Sequence, residues 1–251
     1  MQNTAVLGID IGGSGIKGAP VDLIAGDFAA DRLRIPTPDP STPEAVADVV
    51  ARIVEHFSDL IGDSPVGITI PAVVTHGVVR LAANIDQSWV GTPAAELFAE
   101  RLGRPVVLVN DADAAGVAEA KFGVAKGNDG IVLLTTLGTG IGSALIHHGV
   151  LVPNTELGHL EIDGYDAEKR AAASVRTNEG LSYAEYVPRL QRYYEVVEKL
   201  FWPDLFVVGG GVSKNADEFL PYLKLNTPIV PAALRNRAGI IGAAWLAANE
   251  S

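Results

Sequence analysis

The chain has 251 residues, of which 48% are hydrophobic and 20% are charged, a composition typical of a well-buried globular protein with room for two lobes. It contains no cysteine, which excludes disulfides, thiolate metal sites and thiol nucleophiles. A formal net charge of −11 disfavours nucleic acid and anionic membranes as partners, and since the sequence has neither a membrane-length apolar run nor a signal-type N-terminus, we expect a cytoplasmic protein.

The N-terminal segment LGIDIGGSGIKG places Asp10 at the end of an apolar strand, directly before a glycine-rich turn. Glycines let backbone N–H groups approach phosphoryl oxygens, and a carboxylate can hold a hard cation beside them. A plain glycine-rich hairpin is the alternative interpretation. The glycines at 13, 15 and 18 also match a dinucleotide fingerprint, but that fingerprint needs a following helix. Residues 19–23 contain Pro20 and predict a second strand instead, so we reject a nicotinamide site.

The next part of the chain alternates strands and helices. Strands are predicted over 31–35, 66–70, 77–81 and 105–109, and helices over 42–57, 92–102 and 112–122. Thr42 and Thr92 each precede a proline, which is typical of an N-cap followed by the first helical residue. The strand over 105–109 therefore delivers Asn110 and Asp111 at its carboxyl end.

A second strand, glycine turn and return strand follows residue 122 and suggests two related lobes. Its parts are predicted over 131–137, 138–142 and 143–147, and later elements are a helix over 183–201, a strand over 205–208, glycines at 209–211, and helices over 215–223 and 238–248. We expect one lobe over 1–109, joined by the C-terminal helix over 236–251, and a second over 110–235.

Seven segments, in order along nearly the whole chain, resemble the ROK sugar kinases and most closely their polyphosphate glucokinase branch. They read LGIDIGGSGIKG, THGVVRLAANIDQSW, NDADAAGVAEAKFG, TTLGTGIGSALI, PNTELGHLEIDG, WPDLFVVGGGVSK and TPIVPAALRNRAGIIGAA. The resemblance implies an α/β protein with the two-lobed actin/hexokinase-like, or ribonuclease H-like, fold and a sugar in its central cleft. It also leaves a homodimer open.

The implied reaction is transfer of a phosphoryl group from inorganic polyphosphate, ATP or both to the 6-hydroxyl of glucose, with mannose as a second acceptor. Mg²⁺ would be held through Asp10, by way of water. The alternatives are an ATP-only hexose kinase and a non-catalytic ROK-type sugar sensor. ROK sensors carry an N-terminal helix-turn-helix, whereas the first strand here is expected to begin by about Ala5.

The resemblance also implies a sugar site, with Asp111 as the base that takes the hydroxyl proton. Helix N-capping is the alternative role for Asp111. The other sugar ligands it implies are Asn84, Asn110, Glu156, His159 and Glu168. For these the alternatives are a turn asparagine at Asn84, a satisfied core histidine at His159 and a solvated helix face at Glu168.

The implied donor site draws on all three glycine clusters. Its members are Asp10, Gly12, Gly13, Ser14, Gly15, Lys17, Gly138, Thr139, Gly140, Gly210 and Gly211. Lys17 is displaced relative to the common family turn, so it either meets a terminal phosphate or points to solvent. Many ROK proteins bind zinc through a cysteine-rich loop and the histidine equivalent to His159; without cysteine we expect no zinc, which leaves His159 for sugar contact alone.

Overall fold

The computed structural model describes residues 5–82 and 85–250, and the chain forms two compact units. The first comprises Met1–Ala118 with Arg237–Ser251, and the second comprises Glu119–Asn236. The predicted lobe boundary after residue 109 stays a prediction, and Asn84 lies outside the described residues. Among the helices of the described part, none is long and apolar enough to cross a membrane.

The strands and helices alternate along much of the chain. In chain order the strands are β1 Val6–Gly12, β2 Gly15–Asp22, β3 Asp27–Phe28, β4 Leu33–Ile35, β5 Val66–Ile70, β6 Ala72–Thr75, β7 Val78–Ala82, β8 Val106–Asn110, β9 Ile131–Leu137, β10 Ile141–His147, β11 Val150–Val152, β12 Glu161–Ile162, β13 Tyr165–Asp166, β14 Leu205–Gly209 and β15 Ile229–Pro231. The α-helices are α1 Pro43–His56, α2 Ser58–Ile61, α3 Ala94–Leu102, α4 Asp111–Phe122, α5 Glu168–Ala171, α6 Ala173–Asn178, α7 Tyr183–Phe201 and α8 Ala238–Glu250.

The first unit is built on a mixed sheet with the strand order β3-β2-β1-β5-β8, to which β4 adds by pairing with β2. Strands β1, β5 and β8 are parallel, whereas β1 and β2 form an antiparallel hairpin. Leu7, Ile9 and Ile11 of β1 and the apolar residues of β5 belong to one buried core together with apolar residues of α1. The carboxyl ends of β1, β5 and β8 therefore lie at one edge of the sheet.

Helix α8 packs so closely on this sheet that two strand positions admit only glycine. The first side-chain carbon of any other residue at Gly8 would lie 1.9 Å from the carbonyl oxygen of Ile240, and at Gly67 it would lie 1.9 Å from that of Ala243. Both neighbours are backbone atoms, which cannot rotate away. The C-terminal helix is thus part of the core of the N-terminal sheet.

The second unit has a sheet with the order β11-β10-β9-β14-β15, in which β9, β14 and β15 are parallel. Helix α7 supplies buried tyrosines to its core, and the hydroxyls of Tyr194 and Thr135 are hydrogen-bonded at 2.6 Å. The hydroxyl of Ser182 caps α7 by accepting from the backbone N–H of Glu185, and the Glu185 side chain accepts in turn from the N–H of Ser182.

Most predicted elements are present at or near the expected residues. The hairpin β1-β2 is confirmed, so a strand follows the first glycine turn in place of the helix that the dinucleotide fingerprint requires. The strand over 66–70, the strand over 131–137 and the helix over 183–201 have the predicted bounds. Thr42 caps α1 by accepting from the N–H of Ala45.

Two local predictions are wrong. Thr92 does not cap α3; its hydroxyl donates to the carbonyl of Ser88, and the residue before the helix is Pro93. The helix expected over 215–223 is replaced by 3-10 turns over Gly211–Glu218 and Leu220–Tyr222. Pro221 disfavours α-helical backbone at Leu220 and supplies no N–H, which explains why no α-helix continues through the second of these turns.

Replacing Gly67 by alanine should destabilise the protein by about 1–3 kcal/mol, the usual cost of overpacking, because α8 must move away from β5. The measurement is the urea or thermal unfolding midpoint. Gly13→Ala is the matched control, since nothing lies within 4 Å of the carbon it would add. Equal midpoints for the two variants would contradict the packing argument.

Candidate active site

Asp10 lies in β1 between two partners on the neighbouring strands. Its Oδ1 accepts a hydrogen bond of 3.0 Å from the hydroxyl of Thr69, and its Oδ2 lies 3.2 Å from Nζ of Lys17. Both partners stand directly opposite Asp10 in the register of the sheet. Lys17 therefore points toward Asp10, not away into solvent, and the carboxylate is held from both sides. Thr69 was not among the predicted residues; its signal is a polar side chain in an otherwise apolar strand.

The first glycine turn is a tight hairpin loop in which Gly12 pairs with Gly15 across the two intervening residues. Two of its carbonyl oxygens are bonded to side chains. The hydroxyl of Thr37 donates to the Gly12 oxygen at 2.5 Å, and Nη2 of Arg34 donates to the Ser14 oxygen at 2.6 Å. The turn is thus fixed by side chains from the segment that includes β4.

Asn110 and Asp111 stand where β8 passes into α4. The side-chain oxygen of Asn110 accepts from the backbone N–H groups of Ala112 and Asp113, at 2.8 and 3.2 Å, and its amide nitrogen donates to the carbonyl of Ala72 at 3.1 Å. Asn110 is therefore the N-cap of α4. Asp111 is the first helical residue, half-buried, with Oδ1 2.9 Å from the N–H of Ala112. The helix-capping role considered for Asp111 is thus filled chiefly by Asn110.

In the second unit, two predicted donor-binding glycine clusters are neighbours. They follow the parallel strands β9 and β14, which are paired up to Thr136 and Gly209. Gly210 has a φ of 80°, and an added side-chain carbon there would lie 2.3 Å from the carbonyl oxygen of Leu137. The turn that contains Gly138 and Thr139 thus lies beside the third glycine cluster.

The segment that carries Glu156 and His159 is fastened to β10. The hydroxyl of Ser143 donates to the carbonyl of Thr155 at 2.5 Å and accepts from the N–H of Leu157 at 3.0 Å. Glu156 precedes a short 3-10 turn, Leu157–His159, of which His159 is the last residue, and Glu156 Oε2 lies 3.9 Å from Nε2 of His159. The two side chains that were predicted to bind sugar therefore face each other.

Asp166 joins His159 to Glu168. Its Oδ2 lies 3.0 Å from Nδ1 of His159, and its Oδ1 accepts from the backbone N–H of Glu168 at 3.2 Å. Glu168 is half-buried, and its Oε2 accepts from the N–H of Ile141 at 3.2 Å, beside Gly140. This position is unlike the solvated helix face considered for Glu168. Asp166 was not predicted, and His159 is not left for sugar contact alone, because one ring nitrogen is occupied.

The electrostatics of this cluster favour a protonated histidine and disfavour a charged Glu156. The hydrogen bond that His159 donates to Asp166 raises the pKa of His159, with Glu168 and Glu156 adding to it, whereas burial acts in the opposite direction. Burial raises the pKa of Glu156, which the nearby His159 partly offsets. Ligand atoms of His159, Asp166 and Glu168 lie within 4.8 Å of one another, so the absence of zinc stays a prediction.

The predicted residues thus fall into two groups, one in each unit. Asp10, the first glycine turn, Lys17, Asn110 and Asp111 belong to the first unit; Gly138–Gly140, Glu156, His159, Glu168, Gly210 and Gly211 belong to the second. Their assignment to sugar and donor stays a prediction. The structure adds unpredicted residues that contact them, among them Thr37, Arg34, Thr69 and Asp166.

The chain is similar to known proteins over most of its length. The sequence pattern of the ROK family matches residues 6–179. Polyphosphate glucokinase of Mycobacterium tuberculosis (strain ATCC 25177 / H37Ra) is 52% identical over 238 residues, which cover 94% of this chain and 89% of the relative.

Two solved structures are similar along nearly their whole length. The inorganic polyphosphate/ATP-glucomannokinase of Arthrobacter sp. strain KM is 57% identical, with a TM-score of 0.94 and coverage of 99% of this chain and 100% of the other. A ROK family glucokinase of Streptomyces griseus, solved with glucose and AMPPNP, is 25% identical, with a TM-score of 0.82 and coverage of 96% and 98%. These similarities confirm the two-lobed actin/hexokinase-like fold class.

Asp166→Asn should lower the pKa of His159, because a neutral amide stabilises the imidazolium less than a carboxylate does. Since folding raises this pKa above its usual 6.5, the contribution to stability is full below 6.5 and is lost as the pH rises through the folded value. The stability difference between wild type and variant should therefore shrink with rising pH. NMR titration of the His159 ring, assigned with His159→Ala, measures the shift directly.

Asp163→Asn is the matched control for this experiment. Asp163 lies in the same short hairpin but pairs with Arg192, at 2.6 Å. An equal fall of the His159 pKa in both variants would mean that the hairpin as a whole, and not the Asp166 carboxylate, sets the titration.

Proposed function

This chain belongs to the ROK family, and from that membership we propose that it transfers a phosphoryl group from inorganic polyphosphate or ATP to the 6-hydroxyl of glucose. The support is the 52% identity to a polyphosphate glucokinase along 94% of the chain and the structural match to a polyphosphate/ATP-glucomannokinase. The observation that carries the proposal is that Asp10 and Asp111 are associated with one edge of the parallel strands β1, β5 and β8. Mannose is the proposed second acceptor.

Asp111 is the proposed general base. Because Asn110 caps α4, the Asp111 carboxylate is not required to begin the helix. A half-buried carboxylate at a strand-to-helix junction can accept the proton of the 6-hydroxyl while that oxygen attacks phosphorus. This role needs the carboxylate to be ionised before the attack.

Asp10 is the proposed residue that holds Mg²⁺, through water. Its carboxylate is a hard oxygen ligand, partly exposed, with a side-chain exposure of 26%, and braced by Thr69, which fits a cation that uses few protein ligands and substrate phosphates. When bound, Mg²⁺ would neutralise charge on the donor phosphoryl groups. Lys17 lies beside the same carboxylate and adds a fixed positive charge on the donor side.

Glu156, His159 and Glu168 are the proposed sugar ligands. An ionised carboxylate only accepts hydrogen bonds, so Asp166 requires the proton of a neutral His159 to sit on Nδ1. Nε2 is then an acceptor, and it becomes a donor when the ring is protonated. The residues thus offer both kinds of hydrogen-bond partner to adjacent hydroxyls.

An ATP-only hexose kinase remains the alternative within enzymes, and a ROK-type sugar sensor the alternative outside them. Purified protein with glucose and Mg²⁺, given polyphosphate or ATP separately, distinguishes the three by product formation. We expect turnover with polyphosphate. Turnover with ATP alone leaves the hexose kinase, and glucose binding without turnover leaves the sensor. The cytoplasmic location and a homodimer stay predictions.

Asp111→Asn should retain glucose binding and lose turnover by about a hundredfold to ten-thousandfold, the usual effect of removing a general base. The amide keeps the shape of the side chain but does not take the proton. Steady-state kinetics and glucose calorimetry make the comparison. Asp63→Asn, at an exposed position after α2, is the control. Near-wild-type turnover of Asp111→Asn would require another base.

Glu156→Gln and His159→Ala should each weaken glucose binding by about 1–3 kcal/mol, because a sugar hydroxyl loses a hydrogen-bond partner in the complex. Calorimetry without donor measures this separately from catalysis. Glu161→Gln, an exposed glutamate in the following strand, is the control for Glu156. Unchanged glucose affinity in both test variants would make these residues structural.

A further inference from the structure

Arg34 is a cation at the first glycine turn, and the proposed function assigns no role to it. In β4 it stands directly opposite Lys17 of β2. Directly opposite residues of antiparallel strands project from the same face of the sheet. Lys17 and Arg34 are therefore neighbours on one face, beside the turn that joins β1 to β2.

The two cations reach different ends of the turn. Nζ of Lys17 would lie 3.7 Å from a side-chain carbon added at Gly12, whereas Nε of Arg34 would lie 2.6 Å from one added at Gly15. Only a residue without a side chain lets the guanidinium lie there. Nη2 of Arg34 also donates to the Ser14 carbonyl at 2.6 Å, so the group has a defined position on the turn.

The charge of Arg34 is not neutralised by the chain itself. Within residues 5–82 and 85–250, no carboxylate oxygen lies within 4.0 Å of its guanidinium, and the side chain is exposed. Four other arginines, at positions 101, 189, 192 and 237, do have carboxylate partners. In a chain of net charge −11, an unneutralised guanidinium fixed on a glycine turn is a local attraction for an anion.

We propose that Arg34 and Lys17 bind successive phosphoryl groups of inorganic polyphosphate, and that Arg34 favours this donor over ATP. The inference rests on the proposed function. A guanidinium matches phosphate oxygens in pairs, and its remaining N–H groups are available beside the one that holds Ser14. Polyphosphate continues past Lys17 as a run of negative charges that a second cation can bind. ATP ends in a nucleoside after three phosphates, so it presents less negative charge to Arg34.

The test compares three substitutions of Arg34 in the full chain. Arg34→Gln removes the charge but keeps an N–H donor for the Ser14 carbonyl. Arg34→Lys keeps the charge but loses the paired N–H groups of the guanidinium. Arg34→Ala loses both the charge and the N–H donors. Arg34→Gln and Arg34→Ala should lower kcat/KM for polyphosphate by about tenfold to a hundredfold, mainly through KM, with a smaller loss for ATP. Arg34→Lys should retain part of the polyphosphate activity.

Arg52→Gln, exposed on α1, is the control for a general charge effect. A binding measurement free of catalysis accompanies the kinetics: calorimetry of tripolyphosphate and long-chain polyphosphate without glucose. Affinity for long-chain polyphosphate should fall less steeply with salt in Arg34→Gln, by about one unit of the logarithmic slope, since one ionic contact is lost.

The outcomes separate this inference from the proposed function. Wild-type protein without polyphosphate turnover would overturn the proposed function itself. Wild-type turnover with equal losses for ATP and polyphosphate in Arg34→Gln would overturn the donor preference. Full polyphosphate activity and affinity in Arg34→Gln, with loss only in Arg34→Ala, would make Arg34 a brace for the turn and overturn its role as a phosphate ligand.

Discussion

The close backbone approach of α8 to β1 and β5 is the constraint on which the first unit depends. At Gly8 and Gly67 the helix carbonyls come so near the strands that no side chain fits. This contact ties the C-terminal helix to the parallel strands whose carboxyl ends lead to Asp10, Thr69 and Asn110. A small shift of α8 would move that edge, so the packing of the helix also sets the positions of these polar groups.

The polar groups of the first unit are held by partners on adjacent strands and turns. Asp10 is braced from both sides, by Thr69 and Lys17, which fixes the carboxylate without burying it fully. Asn110 uses its side chain to begin α4 and to bond to Ala72. In the proposed reaction, Asp10 would therefore be held in place by neighbouring side chains that do not themselves react. Such bracing reduces the reorganisation that a reaction would otherwise require.

In the second unit, a carboxylate orients His159. Asp166 occupies Nδ1 of His159 and also meets the backbone of Glu168, so one carboxylate positions two predicted sugar ligands. The short hairpin of β12 and β13 supplies Asp166. Because Glu156 and Glu168 are also near, the ring lies in an acidic environment that favours its protonated form.

The sequence by itself determined the elements whose signals are local. Apolar runs and helical spacing located β5, β9 and α7, the Thr42 cap located α1, and the proline after Gly18 excluded the nucleotide-binding helix. Ordered motifs identified the family and the residues it implies. Tertiary structure decided which neighbours these residues have. Thr69 meets Asp10 across 59 residues of chain and Arg34 meets Ser14 across 20, and such pairs depend on strand order and register, which no local pattern encodes. The different roles of Asn110 and Asp111 likewise depend on the residue at which β8 ends and α4 begins. That boundary decides which of the two side chains caps the helix.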